Sequence, residues 1–384
     1  MRRSAKSEIT RTYYQFLGSE KIGGAEKIAL SVGDYVRNEN IGSSCVFGPT
    51  GMVVRQAVQE VGLPFERYDL HRLMRGNSIV SSLECLRVLR KTAFTSGLVH
   101  FHSPPVFGAM RLFRGLSGLK SVLHIHLDFT ADDLRWAFLD PPDLTIVCAD
   151  FMRDAVEQAT RRGGAASETV RVIRNAVDLR RFSWREKAVG KRALGVNVES
   201  PLAMIVANLA PHKGQATCIR AISELRRRGC EMQLWVVGES RDANCSYERG
   251  LRDLCAELGV VDLVRFTGFR PDVENLLCAA DFVLLPSTSE GLPLSILEAQ
   301  AAGAIVLAAP TAGIPEVVVD GKTGFLIAAD NPTGYSDKLE ELVASKAKMI
   351  EVCAAARLYI EREHDLRQYC RRVMEEYELL LSSG

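Results

Sequence analysis

The chain has 384 residues, of which 47% are hydrophobic and 25% charged, and its formal net charge is +1. This composition is ordinary for a globular protein and excludes a disordered or collagen-like chain. Because a single core rarely grows beyond about 250–300 residues, the length predicts two domains.

The amino-terminal segment, residues 1–27, carries charges but no apolar core of signal-peptide type. No apolar run in the chain approaches the roughly 18–20 residues that a membrane span needs. The ten cysteines are scattered without a C-x-x-C pair, which favours free thiols in a reducing compartment. These features predict a cytoplasmic protein.

The charge is distributed unevenly along the chain. Residues 1–127 hold 17 Lys and Arg against 9 Asp and Glu, a balance of +8, so the remainder carries −7. This excess predicts either a basic face that keeps the domain soluble or peripheral contact with the anionic inner face of a membrane; no nucleic-acid partner is expected. Two basic, partly apolar stretches would supply the membrane contact on helices, 84–94 with Arg87, Arg90 and Lys91, and 106–120 with Arg111 and Arg114.

Short apolar runs alternate with helix-like stretches along the chain. The runs are 43–47, 97–101, 121–126, 143–149 and 170–173 in the first half, and 201–208, 232–238, 263–268, 281–286 and 304–309 in the second. Most are continuously apolar, which is typical of strands buried on both faces of a parallel sheet. We therefore predict two consecutive doubly wound α/β domains.

The domain boundary is predicted within the charged segment 178–200, which lacks a strand pattern. The expected domains are residues 1–185 and 186–364. The last segment, 365–384, has the pattern of one amphipathic helix, and we expect it to pack back on the first domain. Since ligands bind beyond the carboxyl ends of parallel strands, the candidate site residues are those that follow the apolar runs.

Two glutamates follow the run 281–286. Gly291 and Pro293 predict a tight loop and a helix that begins near Leu294, with Glu290 beside its start and Glu298 about one turn in. Free N–H groups at a helix start attract a phosphate, and a carboxylate accepts hydrogen bonds from a vicinal diol. The pair suits a nucleotide-sugar, although the helix dipole alone also favours glutamates at this position.

The surrounding residues, 286–332, resemble the C-terminal signature of the retaining glycosyltransferases of family 4, which have the two-domain GT-B fold. The signature falls on Pro286-Ser287, Glu290-Gly291-Leu292-Pro293, Glu298, Gly303, Gly313 to Glu316 and Gly321 to Phe325. Segments 22–27, 172–182, 206–222 and 265–269 resemble other parts of the same family. The resemblance spans nearly the whole chain, strongly over 200–330 and weakly over 50–95.

The resemblance implies two Rossmann-like, doubly wound parallel-sheet domains facing across a cleft. It implies a hexosyltransferase that moves a sugar, with retained configuration and without a metal or other cofactor, from a UDP-, GDP- or ADP-sugar donor to a glycan or lipid-linked acceptor. Bacterial-type surface polysaccharide or glycolipid synthesis is the expected context. Two alternatives stay open, a nucleotide-sugar epimerase of the same fold and a non-catalytic partner subunit.

The family's functional residues map onto this chain position by position. The implied catalytic residues are Glu290 on the hexose, Lys213 on the diphosphate and His126, from the first domain, on the transferred sugar. The implied donor-binding residues are Gly23, Gly24, Asn208, Lys213, Phe269, Gly291, Leu292, Pro293, Leu294, Ser295 and Glu298, the last on the ribose. Asn208 stands where many members carry an arginine, so Lys213 and the helix start would carry more of the diphosphate charge.

Four histidines, His100, His102, His124 and His126, end two of the predicted strands. Two H-x-H pairs suggest a metal site as an alternative. However, the chain contains no carboxylate cluster of the DxD type, so we expect no metal, and we expect His100 and His102 to be structural.

Overall fold

The computed structural model describes residues 11–49, 51–74, 79–92, 95–162, 169–183, 185–240, 242 and 244–382. Its contacts divide the chain into two compact units. Unit 1 comprises Met1–Arg174 and Arg367–Gly384, and unit 2 comprises Asn175–Leu366. This division falls earlier in the chain than the expected boundary at residue 185.

Each unit is built around a parallel sheet. The strands of unit 1 are β1 (Thr12–Phe16), β2 (Ser43–Pro49), β3 (Phe65–Tyr68), β4 (Gly97–Phe101), β5 (Lys120–Ile125), β6 (Leu144–Val147) and β7 (Val170–Val172). Those of unit 2 are β8 (Leu202–Val206), β9 (Gln233–Val237), β10 (Val264–Gly268), β11 (Phe282–Leu285), β12 (Ile305–Ala308) and β13 (Phe325–Leu326). The orders are β3-β2-β1-β4-β5-β6-β7 and β10-β9-β8-β11-β12-β13, so the fold consists of two doubly wound α/β units, as predicted.

Helices connect the strands. Unit 1 contains α1 (Gly24–Asn38), α2 (Met52–Glu60), α3 (Leu70–Leu73), α4 (Ile79–Thr92), α5 (Pro104–Ala109), α6 (Arg111–Ser117), α7 (Ala131–Leu134) and α8 (Arg153–Arg162). Unit 2 contains α9 (Lys187–Ala193), α10 (Gln215–Arg227), α11 (Ser246–Glu257), α12 (Val273–Ala279), α13 (Leu294–Ala301), α14 (Pro332–Ala344) and α15 (Lys346–Glu363). The last helix, α16 (Leu366–Ser382), returns to unit 1.

All ten predicted apolar runs form strands, but three further strands were not predicted. The most important is β1, which lies between β2 and β4 in the interior of the unit 1 sheet. Its sequence is interrupted by Gln15, a polar residue that is fully buried and whose amide oxygen lies 2.8 Å from His102 Nε2. The other two, β3 and β13, are short edge strands with weak apolar patterns.

The C-terminal helix α16 is anchored in unit 1 by aromatic contacts. The ring of Tyr377 stacks on Tyr13 with 5.5 Å between centroids, and its hydroxyl lies 2.5 Å from His100 Nδ1. The Tyr13 hydroxyl donates to Glu378 at 3.2 Å. Helix α16 is therefore part of the unit 1 core and not a detached tail.

The expectation that Arg114 lies on an exposed helix surface is wrong. Its side chain is only 5% exposed, pairs with Asp140 at 3.1 Å and lies over the Phe107 ring at 3.7 Å. Burial lowers the pKa of Arg114 to about 10. The residue was misjudged because an arginine in a basic stretch is usually solvated, whereas this one lies on the buried side of α6, against Phe107 and Asp140.

The ten cysteines are all free thiols in this structure. None of the helices in the described part of the chain combines the length and apolar character that crossing a bilayer requires.

Candidate functional site

The loop between β8 and α10 depends on a glycine. Gly214 has a φ of +74°, in the left-handed region that favours glycine. A Cβ atom added there would lie 2.2 Å from the carbonyl oxygen of Pro286. This close approach brings the loop after β8, which ends in a 3₁₀ turn at Pro211–Lys213, against the loop after β11.

Hydrogen bonds join these two loops. The carbonyl oxygen of His212 accepts from the Ser287 hydroxyl at 2.9 Å and from the Thr288 N–H at 2.8 Å. Ser287 is fully buried, so its hydroxyl is shielded from competing water. The bonds fix the positions of the residues that follow each loop.

Lys213 and Glu290 form an ion pair where the loops meet. Lys213 Nζ lies 2.7 Å from Glu290 Oε1, and the two side chains are 17% and 7% exposed. Charges buried to this extent are tolerated when they are paired, and removal of one partner is strongly destabilising. Both residues were predicted as site residues, Lys213 for the diphosphate and Glu290 for the hexose. Their contact with each other was not predicted.

Helix α13 begins directly after the Glu290 loop. Its N-cap is Pro293, and Leu294 and Ser295 form its first turn with partly exposed side chains. Gly291 and Leu292, which precede the cap, are buried. The first N–H groups of a helix lack intrahelical partners, so this helix start offers donors to an anion.

Two hydrogen bonds fix the residues that directly precede α13. The Gly291 carbonyl accepts from the N–H of Gly313 at 3.1 Å, and the Leu292 carbonyl accepts from Asn175 Nδ2 at 2.8 Å. His364 in turn donates from Nδ1 to the carbonyl of Asn175 at 2.7 Å. No role could be predicted for Asn175 from the sequence, because its partner Leu292 lies far along the chain.

Glu298 lies one turn into α13 and is buried, with 5% of its surface exposed. Two residues later, Gln300 donates from Nε2 to the carbonyl oxygens of Thr323 at 2.9 Å and Val317 at 3.3 Å. These bonds tie α13 to the segment that leads into β13. Glu298 is therefore held on a helix whose position is fixed at both ends.

The remaining donor-binding candidates of unit 2 follow β8 and β10. Asn208 follows β8, is partly exposed and accepts from Gln215 Nε2 through its carbonyl at 2.9 Å. Phe269 follows β10 and is 57% exposed. At a strand spacing of about 4.8 Å, the ends of β10 and β11 lie about 14 Å apart along the sheet edge. All the unit 2 candidates thus lie at the carboxyl edge of one sheet.

In unit 1, Gly23 is the N-cap of α1 and Gly24 is its first residue. The N–H of Gly23 donates to Glu26 Oε2 at 3.0 Å, while Gly24 is exposed. A carboxylate therefore already occupies part of this helix start.

His126 follows β5 and belongs to a cluster of four histidines. Its Nε2 lies 3.1 Å from His102 Nδ1, and His102 Nε2 lies 2.8 Å from Gln15 Oε1. Because an amide oxygen only accepts, His102 carries its proton on Nε2 and accepts from His126 on Nδ1. The other nitrogen of His126, Nδ1, is buried without a partner among the described residues. One ring nitrogen of His126 is therefore engaged by His102 and the other is closed to solvent, while part of the residue stays exposed.

His100 and His124 complete the cluster. The ring of His124 stacks on His126 at 3.9 Å and on His100 at 5.5 Å. Within the described part of the chain, His100 Nε2 and both nitrogens of His124 are buried without hydrogen-bond partners. Burial lowers the pKa of His126 to about 3 and holds the pKa of the other three well below its usual value. All four rings are therefore neutral at neutral pH.

Neutral imidazoles are also metal ligands. Ligand atoms of His100, His102 and His124 lie within 4.8 Å of one another. However, both nitrogens of His102 are already engaged, by Gln15 and His126. Metal-free chemistry in this chain stays a prediction.

Comparison with known proteins connects these features to a family. Residues 187–359 match the model of the family described as glycosyl transferases group 1. The D-inositol 3-phosphate glycosyltransferase of Corynebacterium jeikeium is 35% identical over 212 residues, which cover 53% of this chain and 50% of the relative. The chain thus spans about half the length of the curated relatives that it matches.

Solved structures resemble nearly the whole chain. Anabaena Alr3699/HepE in complex with UDP-glucose has a TM-score of 0.81 at 22% identity, covering 97% of this chain and 100% of that protein. Sucrose-phosphate synthase from Thermosynechococcus elongatus has a TM-score of 0.80 at 16% identity, with coverages of 97% and 100%. At these identities the likeness shows the fold, two Rossmann-like parallel-sheet domains.

Proposed function

We propose that this chain, whose residues 187–359 match the model of the glycosyl transferases group 1 family, transfers a sugar from a nucleotide-diphosphate donor to an acceptor hydroxyl. The observation that carries the proposal is the contact between Lys213 and Glu290 at the carboxyl edge of the unit 2 sheet. The pair combines a cation suited to a diphosphate with a carboxylate suited to sugar hydroxyls, beside a helix start that offers N–H donors. The GT-B fold predicted from the sequence supports the same assignment.

The diphosphate would bind at Lys213 and at the first turn of α13. A lysine ammonium carries three donor hydrogens, so Lys213 can bind a phosphate oxygen while it keeps a bond to Glu290. Charge on the departing diphosphate would be stabilised by these preorganised donors. Asn208 lacks the charge of the family arginine but can still donate a hydrogen bond.

The nucleoside would lie towards the β10 end of the sheet edge. Phe269 offers an exposed aromatic ring there, on which a base can stack. The distance of about 14 Å between the ends of β10 and β11 leaves room for an extended nucleotide-sugar. Glu298 is proposed to bind the ribose and Glu290 the hexose, as in the family.

The proposed roles of the unit 1 residues rest on the resemblance alone. The Nε2 atom of His126 is engaged by His102 and its Nδ1 atom is closed to solvent, and the N–H of Gly23 is used by Glu26. A direct contact of His126 with a sugar hydroxyl would require its ring or its neighbours to move.

The proposed reaction proceeds with retention. The bond between the anomeric carbon and the leaving phosphate oxygen breaks, and the acceptor oxygen bonds to the same face of an oxocarbenium-like centre. The acceptor proton passes to the leaving phosphate oxygen, so no protein base is needed. Metal-free transfer is part of this proposal, since the diphosphate is assigned to the Lys213 ammonium and to the N–H donors at the start of α13.

We also propose that the acceptor is a glycan or a lipid-linked molecule and that the protein works in the cytoplasm at the inner face of a membrane. The +8 balance of residues 1–127 supports an anionic acceptor or surface. The name of the C. jeikeium relative, a D-inositol 3-phosphate glycosyltransferase, is compatible with an anionic acceptor. Synthesis of a surface polysaccharide or glycolipid fits these features.

A donor screen tests the proposal. UDP-, GDP- and ADP-sugars should be tested by thermal shift, because a ligand that binds only the folded chain stabilises it by mass action. The stabilising donor should then be followed by NMR, with transfer or slow hydrolysis giving a product of retained configuration. An inverted product would contradict the mechanism, release of an epimerised sugar would indicate an epimerase, and no response to any donor would indicate a non-catalytic subunit.

A further inference from the structure

We propose that unit 1 docks on an anionic lipid surface through the exposed sides of α4 and α6, which we call the α4–α6 face. The proposal deepens the proposed function, on which it rests for the lipid-linked acceptor, by assigning membrane contact to particular side chains. It also replaces the surface expected from sequence, because Arg114 is buried and cannot reach a lipid.

Helix α4 exposes a line of large apolar side chains. Ile79, Leu83 and Leu86 are 81%, 60% and 45% exposed. Their spacings of four and three residues place them on one side of the helix. Arg90 follows at the next spacing of four and is also exposed. A contiguous apolar line of this kind marks an interaction site, whereas single exposed leucines do not.

Helix α6 extends this surface, because it packs against α4. Leu112 and Leu116, four residues apart, are 41% and 54% exposed, and Arg111 beside them is exposed as well. The opposite side of α6 carries Phe113, which is buried in the core of unit 1. The α4–α6 face therefore combines apolar and cationic side chains from two neighbouring helices.

The charges of the face favour an anionic partner. Among the described residues, Arg90 and Arg111 have no ion-pair partner. The acidic residue of α4, Glu84, is only 4% exposed, and α6 contains no acidic residue. Arg87 lies 3.6 Å from Glu84 but keeps 47% of its side chain exposed. Cations next to apolar side chains on a surface helix suit a helix that lies among lipid headgroups.

The dimensions agree with peripheral binding. At 1.5 Å per residue, the 14 residues of α4 are about 21 Å long, too short to span and long enough to lie along the surface. The leucines would enter the boundary between headgroups and acyl chains while the arginines contact lipid phosphates. Each exposed cation contributes about a fivefold gain in affinity at an anionic surface.

Vesicle sedimentation of the full chain tests the proposal. We expect binding to vesicles of phosphatidylcholine with 30% phosphatidylglycerol at low salt, and little binding to phosphatidylcholine alone or at high salt. The double variant Arg90→Glu/Arg111→Glu should weaken binding about 30-fold or more, since two cations are lost. Leu83→Ser/Leu116→Ser should weaken it about tenfold without changing the charge.

Matched controls lie in unit 2. Arg192→Glu/Arg220→Glu makes the same charge change at two exposed arginines, and Leu358→Ser replaces a leucine that is 56% exposed. These variants should bind vesicles like the wild type. Equal weakening by the control and face variants would mean that only net charge matters, and the assignment of the face would be wrong.

Two further outcomes would also overturn the proposal. One is a protein that stays in the supernatant with anionic vesicles at low salt. The other is a concentration-dependent dimer, measured by light scattering, that Leu83→Ser/Leu116→Ser abolishes, since a second copy would then cover the face. Transfer to a water-soluble acceptor should be unchanged in the face variants. Vesicle binding without any sugar transfer would contradict the proposed function but would still support docking through the α4–α6 face.

Discussion

Lys213 and Glu290, which are 77 positions apart in the chain, are joined by a 2.7 Å ion pair at the carboxyl edge of the unit 2 sheet. Each group holds the other in place before any ligand arrives. An anion that binds Lys213 must share it with Glu290, so binding of a diphosphate and positioning of the carboxylate are coupled. The first two predictions separate these effects.

Glu290→Gln should lower the turnover of the best donor at least about 100-fold, because the amide keeps the size of the side chain but loses the negative charge. The variant should still fold, since the amide can accept one hydrogen bond from Lys213. Steady-state rates and a thermal melt measure the two properties. Glu257→Gln, at an exposed residue of α11, is the matched control and should change neither. Near wild-type turnover in Glu290→Gln would rule out a catalytic role.

Lys213→Ala should lower the rate roughly 100–1,000-fold, as expected when one preorganised electrostatic contact is lost. It should also lower the free energy of unfolding, by up to about 3–5 kcal/mol, because it leaves the Glu290 carboxylate buried and unpaired. The double variant Lys213→Met/Glu290→Gln removes both charges and should recover most of the stability but none of the activity. A rate loss below threefold in Lys213→Ala would show that other groups bind the diphosphate.

Transfer should persist in the presence of a chelator. This expectation rests on the absence of a DxD pattern from the sequence and on Lys213 as the proposed cation. The assay should be run with EDTA and then with added Mg²⁺ or Mn²⁺, and the melting temperature should be recorded with and without EDTA. Activity that vanishes with EDTA and returns with the metal would contradict the prediction. A lowered melting temperature would instead point to a structural ion, for which the histidine cluster is the first candidate.

Stability should fall as the pH drops below about 6.5. The pKa of each clustered histidine is lowered by burial, so the folded chain stays neutral where the unfolded chain, with a pKa near 6.5, takes up protons. Each such histidine contributes a slope of about 1.4 kcal/mol per pH unit, and the free energy of unfolding should level off above pH 6.5. Urea melts between pH 5 and 8 measure this dependence, and a flat profile would contradict it.

His124 offers a sharp test of that prediction, because both its ring nitrogens are buried without partners among the described residues. His124→Leu should make the slope below pH 6.5 shallower by up to about 1.4 kcal/mol per pH unit. His71→Gln replaces an exposed histidine and is the matched control.

Gly214→Ala should reduce both stability and activity, because the new Cβ atom would collide with the Pro286 carbonyl and push apart the loops that carry Lys213 and Glu290. Gly229→Ala is a matched control, since Gly229 has nearly the same φ, +79°, but no atom within 4 Å of the added Cβ. Both variants carry the backbone strain of about 1–3 kcal/mol. Thermal melts and steady-state rates measure the two variants. A larger loss of stability and activity in Gly214→Ala than in Gly229→Ala would be due to the collision with the Pro286 carbonyl.

The fold could be predicted from the sequence mainly where strands are continuously apolar. The strand β1 was missed because Gln15 interrupts its apolar pattern, and the buried amide becomes reasonable only when its partner His102 is known. The helix start after Glu290 was predicted correctly, since Pro293 and the glycine before it are local signals. Local patterns predict elements well, whereas they do not reveal polar pairs that form across the sheet.

The arrangement of the candidate site depends on such long-range pairs. The ion pair between Lys213 and Glu290 requires that β8 and β11 be neighbours, which no short stretch of sequence indicates. The burial of Arg114 could not be predicted from local sequence either, because it depends on Phe107 and Asp140 lying together around the side chain. The roles of the donor-binding residues stay predictions, for which the variants above are the tests.

The return of α16 to unit 1 has a consequence for the order of folding during synthesis. Unit 2 is a continuous segment, whereas unit 1 needs residues from both sides of it. The Tyr377 side chain that covers Tyr13 and His100 is synthesised after the whole of unit 2. We therefore expect the nascent unit 1 to expose Tyr13 and His100 until α16 is synthesised, while unit 2 can fold before it, which would reverse the usual order of domain folding. Chaperones that bind apolar surface have their longest opportunity at that patch.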